Sequence, residues 1–376
     1  MSTSKQTADA IIVGGGLHGC ATALYLAMRG VNCAVLEKDY VGRHASGVNA
    51  GGVRRLGRAL PEVPLADTAL SIWRNIEDLI DDDCGFKSLG QVKVAENNAE
   101  LNALKNRAKT VQDIGFLHEE IIDQKQLREL LPAVASHCIG GLYVNGDGHA
   151  NPYRTVTAFK RKAISMGVRI FEQTPVNEIV RHGKNWLVKS PSRKIEAPII
   201  VNCAGAWGGS IAAQLGDYAP VEAQALMLMI SAQMPHFVKP VVGSQGRTLS
   251  FKQFDNGTVM MGGAYQGSAE PEQNNTHLSF NGLAKNARAA TAIFPIMRQA
   301  TIVRSWAGIE GVMPDNIPVI GAGSADGVYH AFGFSAHGFA LGPLVGKIIT
   351  DLIDVGDIEL PIDAFRIQRF SQNKDI

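Results

Sequence analysis

Residues 10–37 read AIIVGGGLHGCATALYLAMRGVNCAVLE, and this stretch decides the fold. Its apolar beginning, residues 10–13, predicts a buried parallel strand, and the residues after the glycines have helical spacing. A second apolar run, residues 33–36, predicts a neighbouring strand that ends in Glu37. A strand, a glycine-rich turn, a helix and a second strand with a terminal acid, all within about 30 residues, are typical of a dinucleotide-binding unit.

The three glycines of this unit, Gly14, Gly16 and Gly19, have the spacing G-x-G-x-x-G. Gly14 permits a tight turn, Gly16 lets a pyrophosphate approach the backbone, and Gly19 lets the helix pack close to the strand. Glu37 can accept hydrogen bonds from a ribose, and the helix N-terminus offers N–H groups and partial positive charge to the pyrophosphate. The alternative is a glycine-rich structural turn, since the chain contains 40 glycines and the spacing alone is a weak signal.

Length and charge balance limit the possible functions. A chain of 376 residues exceeds the usual size of one core, so we expect two domains, and its 45% of apolar residues suffices to build them. The 36 Lys and Arg residues are nearly balanced by 35 Asp and Glu residues. This balance argues against nucleic acid as the main partner.

The five cysteines are scattered and form no C-x-x-C pair. This pattern argues against an iron–sulfur cluster, a structural zinc site and a redox-active disulfide, and favours buried thiols in a reducing cytosol. The N-terminal residues lack the apolar core of a signal peptide, and no apolar run approaches the roughly 20 residues of a membrane span. We therefore expect no metal ligands, no membrane span and a cytoplasmic location.

Beyond the dinucleotide unit, strand and helix patterns alternate without repeats. Residues 42–58 are rich in glycine and basic side chains, which suits a loop around a phosphate-bearing ligand. Apolar residues at helical spacing predict helices over residues 65–80 and 340–353. Period-two stretches over residues 221–263 predict antiparallel strands, among them a short strand at residues 225–230.

Six segments in a fixed order carry a resemblance to a known family. They are the dinucleotide unit, ASGVNAGGVRR (45–55), DGHANPYR (147–154), TPVNEIV (174–180), VNCAGAWG (201–208), and MPDNIPVIG with GFSAHGFALGP (313–321 and 333–343). Over nearly the full length, the chain resembles the D-amino-acid oxidase/sarcosine oxidase/glycine oxidase (DAO) superfamily of FAD-dependent oxidoreductases. The loop GRHASGVNAGGVRR is most similar to the flavoprotein β subunits of heteromeric opine oxidase, hydrogen cyanide synthase, D-hydroxyproline dehydrogenase and sarcosine oxidase.

The resemblance implies a fold of class α/β + α+β, in which a Rossmann-like FAD-binding domain is interleaved with a substrate domain built on a mostly antiparallel β-sheet. We expect the FAD-binding domain to comprise residues 1–92, 145–218 and 305–376. The substrate domain should comprise residues 93–144 and 219–304, with its sheet over the flavin. Dinucleotide-type motifs at both ends and in the middle of the chain motivate this division.

The resemblance also implies FAD as the cofactor. A helix that begins near Phe339–Ala340 would direct its N–H groups at the flavin N1–C2=O edge, which is negatively charged in reduced flavin. Monomeric sarcosine oxidases attach FAD through a Cys where Ala307 and Gly308 stand here, so we expect non-covalent FAD. The family motifs place the following residues at the cofactor, with the backbone of Val176 at the adenine: Gly14, Gly16, Leu17, His18, Gly19, Glu37, Lys38, His44, Ala45, Ser46, Asn49, Ala50, Gly51, Gly52, Val176, Cys203, Ala204, Gly205, Trp207, Gly308, Gly333, Phe334, His337, Gly338 and Phe339.

Two departures from the family patterns concern the substrate carboxylate. Monomeric sarcosine oxidases have a Lys after HGF, where this chain has Ala340, and glycine oxidases have an Arg in WAGLRP, where this chain has Glu310. With both usual anchors missing, we expect an arginine from elsewhere, although most exposed arginines are merely solvated. The candidates are three arginines on the predicted flavin loop and one on the predicted substrate sheet: Arg54, Arg55, Arg58 and Arg247.

Two further residues are candidates for catalysis. Glu310 could meet a cationic group on the substrate. His337 either shapes the flavin environment or is a hydrogen-bonded core histidine, and direct acid–base chemistry is the less favoured role because hydride transfer from a neutral amine needs no protein base.

The resemblance implies oxidation of the C–N bond of an amino acid or secondary amine, such as an opine-like N-substituted amino acid, by hydride transfer to the flavin. It further implies a β subunit whose sister subunit carries iron–sulfur or a second flavin. Glycine and sarcosine should be poor substrates, because Ala340 and Glu310 replace the usual anchors. Two alternatives stay open: a stand-alone oxidase that produces hydrogen peroxide, and an FAD-binding electron-relay subunit without its own substrate.

Overall fold

The computed structural model describes residues 6–373, so the outermost ends of the predicted FAD-binding domain, residues 1–5 and 374–376, lie outside the described residues. The α-helices of the described part are α1 Leu17–Met28, α2 Ala45–Val48, α3 Val63–Arg74, α4 Ile76–Ile80, α5 Asn98–Asp113, α6 Gln124–Leu130, α7 Pro152–Ser165, α8 Gly208–Gln214, α9 Phe280–Ile293 and α10 Gly338–Asp354. Its strands are β1 Gln6–Thr7, β2 Ala10–Val13, β3 Cys33–Leu36, β4 Gly52–Val53, β5 Gln91–Ala95, β6 Glu120–Asp123, β7 Gly140–Val144, β8 Gly148–His149, β9 Arg169–Phe171, β10 Glu178–His182, β11 Asn185–Lys189, β12 Lys194–Ala197, β13 Ile199–Asn202, β14 Glu222–Ser231, β15 Val241–Ser244, β16 Ser250–Gln253, β17 Val259–Gly262, β18 Gln266–Glu270, β19 Asn275–His277, β20 Ile302–Val312, β21 Val319–Ala322 and β22 Val328–Phe332.

The dinucleotide unit forms the centre of a six-stranded sheet with the order β21-β22-β13-β2-β3-β9. Strands β2 and β3 pair in parallel with Ala10 opposite Cys33, and α1 connects them as predicted. Every neighbouring pair of this sheet is parallel except β21 and β22. Both central strands are buried along their whole length, which explains why they are continuous apolar runs rather than alternating ones.

Successive residues of β2 face two different layers of the molecule. Ala10 and Ile12 pack into a core that the long helices α1, α3, α7 and α10 share. Ile11 and Val13 pack against apolar residues of the four-stranded sheet β1-β12-β11-β10. The parallel sheet is therefore covered on both faces, and the carboxyl ends of its strands are left to form a site.

The second large unit is a ten-stranded sheet with the order β19-β18-β14-β17-β16-β15-β5-β7-β6, in which β20 also pairs with β14. All of its pairs are antiparallel except β5 with β15, as the mostly antiparallel prediction requires. The short strand predicted at residues 225–230 is wrong in length: β14 has 10 residues, because β20 pairs along all of it.

The predicted domain bounds stay a prediction, but strand pairing gives a reason to move one of them. The division above places residues 305–312 in the FAD-binding domain. They belong to β20, whose partner β14 lies in the predicted substrate portion. We therefore place β20 with the substrate sheet, from which it still reaches the site described below.

The single helix predicted over residues 65–80 is wrong at Asn75, where the structure has the two helices α3 and α4. The Asn75 side chain donates to the Ser71 carbonyl oxygen at 3.0 Å, and its backbone leaves the helical conformation with φ −119° and ψ 26°. Short polar side chains compete in this way with the helical backbone. Among residues 6–373, no helix combines the length and the apolar character that a membrane crossing requires.

Candidate active site

A cavity of about 1040 Å³ opens at the carboxyl ends of the parallel strands, where Val13, Leu36 and Cys203 line it. The ten-stranded sheet forms the roof, which is the opposite wall. The cavity is lined by every predicted cofactor residue except Gly19, and by all four predicted catalytic residues, Arg54, Arg247, Glu310 and His337. Five of the six motif segments therefore meet in one site, at the position where ligands bind in open α/β sheets, whereas DGHANPYR (147–154) contributes no lining residue.

The glycine turn is needed for close approach of two backbones. Gly14 has φ +105°, and a Cβ on it would stand 2.4 Å from the carbonyl oxygen of Cys203. A Cβ on Gly19 would stand 2.0 Å from the carbonyl oxygen of Gly14, so Gly19 serves helix packing and is not a lining residue. A Cβ on Gly16 would stand 2.9 Å from Ser46 Oγ, which accepts a hydrogen bond from the Leu17 N–H at 2.9 Å.

Glu37 lies at the end of β3 and lines the cavity. Its Oε2 accepts the Gly15 N–H at 2.7 Å, and its Oε1 accepts the Asp39 N–H at 2.9 Å. Burial raises the pKa of Glu37 above its ordinary value, although these two N–H groups oppose the shift. Each oxygen keeps a lone pair for a further donor, so the carboxylate can fix the glycine turn and bind a ribose hydroxyl together.

Two helix N-termini face the same cavity. Helix α1 begins after Gly16 and α10 begins after His337, and both of these preceding residues line the cavity. Among the described residues, neither helix has a side-chain N-cap or an acidic residue in its first turn. Apart from the Leu17 N–H, which donates to Ser46 Oγ, the N–H groups and partial positive charge of these first turns are therefore available to a negatively charged ligand. Helix α10 begins at Gly338, one to two residues before the predicted start at Phe339–Ala340.

The lining residues fit a large polar cofactor. His18 Nε2 and His44 Nδ1 are buried and have no hydrogen-bond partner among residues 6–373, although buried polar atoms usually have one. His44 Nε2 lies 2.6 Å from Asn274 Oδ1, which fixes the ring. A Cβ on Gly52 or Gly205 would meet no atom within 4 Å, so these two lining glycines keep space open. The orphaned imidazoles and the open space are what a bound FAD would satisfy.

A buried ionic network supports the start of α10. His337 Nδ1 lies 2.9 Å from Glu62 Oε2, and Arg58 Nη1 donates to the His337 carbonyl oxygen at 3.0 Å. Burial alone would raise the pKa of Glu62, but the hydrogen bond from His337 and the charge of Arg58 lower it overall. Burial lowers the pKa of His337. His337 is thus a hydrogen-bonded histidine that also lines the cavity. Its partner Glu62 was not among the site residues predicted from the sequence.

The structure separates the four arginine candidates. Arg247 lies at the cavity rim with its side chain 40% exposed, but its Nε and Nη2 donate to Glu96 at 2.6 and 2.7 Å. Because this fork is already paired, Arg247 is not a free anchor, and the expectation for it is corrected. Arg55 is paired with two aspartates, Asp67 and Asp147, and Arg58 is held by backbone carbonyl groups.

Arg54 remains as the anchor candidate. It lines the cavity, and one of its Nη atoms donates to the Leu56 carbonyl oxygen. In the described part of the chain it forms no ion pair, and burial lowers its pKa from the ordinary arginine value. An arginine in this situation gains from a carboxylate ligand, because its charge is otherwise poorly compensated.

Glu310 lies on β20 and accepts a hydrogen bond from the Ala336 N–H. Ser335 and Ala336 have left-handed φ angles of 50° and 66°, a conformation that costs energy in residues with a side chain. Burial raises the pKa of Glu310 to about 7, although the Ala336 N–H opposes the shift. A carboxyl group with such a pKa can exchange a proton with a ligand near neutral pH.

Two polar residues of the roof were also not predicted as site residues from the sequence. Gln91 and Lys93 lie on β5 and line the cavity. A signal was present, since polar and apolar residues alternate in QVKV (91–94) and the polar ones share one face of a strand. Alternation alone does not tell which face turns toward the site. For Glu62, the sequence offers an acid between two prolines but no periodic pattern.

Replacing Glu37 by Ala should weaken FAD binding by about 1.5–3 kcal/mol, on the order of 10- to 100-fold in Kd, because a ribose hydroxyl loses a charged acceptor. The measurement is FAD titration of the apoprotein by flavin fluorescence. Glu172→Ala is the control: Glu172 accepts the Val41 N–H at 2.8 Å and pairs with Lys160, but does not line the cavity. An unchanged Kd in Glu37→Ala, or an equal loss in both variants, would show that Glu37 does not hold the ribose.

Comparison with known proteins identifies the family of the chain. The family model described as FAD dependent oxidoreductase (DAO) matches residues 9–352. The chain is 27% identical to the beta subunit of sarcosine oxidase from Rhizobium meliloti (strain 1021), covering 98% of this chain and 89% of the relative. It is 24% identical to an opine oxidase subunit of Rhizobium meliloti, covering 96% and 97%. The crystal structure of L-proline dehydrogenase from P. horikoshii superimposes with a TM-score of 0.90 at 25% identity, over 98% of this chain and 99% of that one. The chain belongs to the DAO family of FAD-dependent oxidoreductases.

Proposed function

We propose that this enzyme oxidises the C–N bond of an N-substituted, opine-like amino acid, as the β subunit of a heteromeric oxidase or dehydrogenase. The observation that carries the substrate class is the charge pattern of the cavity. Arg54 offers a half-buried cation without an ion-pair partner among the described residues, and Glu310 offers a carboxyl group on β20. These two groups match the carboxylate and the ammonium group of an amino acid.

Each residue has a defined part in this proposal. Arg54 binds the substrate carboxylate and orients the molecule. Glu310 binds the ammonium group and accepts its proton, which gives the neutral amine. Bound FAD supplies the acceptor for the hydride from the C–H beside nitrogen. The network of Glu62, Arg58 and His337 holds the first turn of α10 in place, so that its N–H groups stay directed into the cavity.

Anaerobic addition of a suitable N-substituted amino acid should bleach the flavin absorbance of the purified chain. Glycine and sarcosine should bleach it slowly, because Ala340 and Glu310 stand where family members have an anchor. Arg54→Gln should raise KM by roughly 10- to 100-fold, as expected for a lost charged hydrogen bond. Efficient sarcosine turnover would refute our interpretation of Ala340 and Glu310. A flavin that no amine bleaches would favour the electron-relay alternative.

The assembly is the second part of the proposal. The similarity to a sarcosine oxidase beta subunit and to an opine oxidase subunit supports a sister subunit, which we expect to carry iron–sulfur or a second flavin. The isolated, substrate-reduced chain should therefore reoxidise slowly in air. Rapid stoichiometric peroxide formation by the monodisperse chain would instead identify a stand-alone oxidase. The five cysteines are free and buried, which supports a cytoplasmic location.

A further inference from the structure

We propose that Lys93 determines substrate specificity by binding a second carboxylate, so that the substrate is an amino acid whose N-substituent also carries a carboxylate. The proposal rests on the proposed function and names its substrate class more closely. Lys93 belongs to none of the six motifs that carry the family resemblance. It lies in the middle of β5, between β7 and β15 in the roof sheet.

The position of Lys93 directs it into the cavity. Lys93 pairs with Leu142 on one side and Gly243 on the other, so its backbone is fixed within the sheet. Gln91 is two residues away on the same strand, and alternate residues of a strand share a face. Both residues line the cavity, whereas Val92 and Val94 are fully buried in an apolar core.

The carboxylates near Lys93 are already paired. Glu119 accepts Arg107 Nε at 3.1 Å and the Gly57 N–H at 2.9 Å. Asp147, whose charge acts on Arg54, is paired with Arg55 at 3.1 Å. Among residues 6–373, neither Lys93 nor Arg54 forms an ion pair with a carboxylate. Lys93 and Arg54, which line the same cavity as Lys38 and Arg58, are thus not paired with a carboxylate, and two carboxylates of one ligand would provide this pairing.

The electrostatics favour an anion at Lys93. Burial lowers the pKa of Lys93, and the positive charges of Arg54 and Arg107 lower it further, against the opposing charge of Glu119. A carboxylate beside Lys93 would remove this unfavourable balance, since a half-buried cation without a partner is costly. The same balance gives a ligand with two carboxylates an advantage over one with a single carboxylate.

Gln91 completes the subsite. It is 8% exposed, and its Oε1 is buried without a hydrogen-bond partner among the described residues. The NH₂ group of Gln91 is not among the buried atoms without a partner, so it can donate to the same carboxylate as Lys93. An ammonium and an amide on one strand face thus form a donor pair for an anionic group.

The test uses the FAD-loaded enzyme and two unreactive probes in which sulfur replaces the amine nitrogen, so that no imine can form. Thiodiacetate has two carboxylates, and methylthioacetate has one. Titration of the flavin absorbance gives Kd for each without turnover, so the result does not depend on the amine bleaching that tests the proposed function. Wild type should bind thiodiacetate at least about tenfold more tightly than methylthioacetate. Lys93→Met should raise the Kd for thiodiacetate by roughly 10-fold or more, as expected for the loss of a charged hydrogen bond. The same variant should leave the Kd of methylthioacetate within about twofold.

Two variants control this experiment. Lys93→Arg should retain most of the wild-type preference for thiodiacetate over methylthioacetate, because the substitution keeps the positive charge. Lys109→Met removes an exposed lysine of α5 and should change neither Kd. Equal affinity of wild type for both probes, an unchanged Kd in Lys93→Met, or an equal loss for both probes would overturn the proposal. Loss of bound FAD is read directly from the flavin spectrum and is thereby separated from loss of the probe.

Discussion

Gly14→Ala should destabilise the FAD-loaded enzyme by about 2–5 kcal/mol and weaken FAD binding by at least about 100-fold. Two costs combine at this position. Gly14 has φ +105°, which residues with a side chain rarely adopt, and a Cβ would stand 2.4 Å from the Cys203 carbonyl oxygen. The clash is with backbone, so it cannot be relieved by rotating a side chain. The turn must open, and the N-terminus of α1 then moves away from the cofactor.

Gly30→Ala separates these two costs. Gly30 follows α1, has φ +80°, and a Cβ on it would meet no atom within 4 Å. This variant should cost only about 1 kcal/mol and leave the Kd for FAD unchanged. Thermal unfolding followed by flavin fluorescence measures the loss of stability, since released flavin becomes fluorescent, and FAD titration of the apoprotein measures the Kd. Equal destabilisation of the two variants would show that the approach to Cys203 does not matter.

The sequence was most informative for the strands that are buried on both faces of the parallel sheet and for the turn between them. Residues 10–37 predicted the strand, turn, helix and strand, because buried parallel strands must be apolar runs and the turn must be glycine. The order of the family motifs predicted which distant loops meet at one cavity, and all but one of the predicted cofactor residues line it. The strands and the turn follow from the local sequence, and the grouping of distant loops follows from the family motifs.

The sequence was least informative where function depends on which groups pair. Arg247 and Arg54 look alike as residues, but Glu96 pairs with one of them and no carboxylate of the described residues pairs with the other. Glu62 is buried beside His337, 275 positions away in the chain, and no spacing could indicate that contact. Lys93 lies in a visible alternation, but the side of the sheet that faces the cavity depends on strands that come from separate parts of the chain.

Glu310→Gln should lower kcat/KM for the amine substrate by about 10²- to 10⁴-fold, the usual loss when a proton-accepting group is removed. The Gln side chain keeps an oxygen for the Ala336 N–H, so the strained loop at Ser335 and Ala336 keeps its support. Glu222→Gln, on the exposed end of the paired strand β14, is the matched control and should leave kcat/KM unchanged. A near-normal rate in Glu310→Gln would reduce Glu310 to a residue that only positions the loop.

The pH dependence gives a second measurement of the same role. Burial raises the pKa of Glu310 to about 7, so about nine tenths of it is protonated at pH about 6 and about nine tenths is ionised at pH about 8. Only the ionised form accepts the ammonium proton, so wild-type kcat/KM should rise about tenfold per pH unit up to pH about 7. Between pH about 7 and the pKa of the amine, kcat/KM should stay constant. In Glu310→Gln the neutral amine must come from solution, and the rise should continue to that amine pKa without a plateau. A plateau beginning near pH about 7 in both enzymes would assign the titration to another group and exclude Glu310 as the proton acceptor.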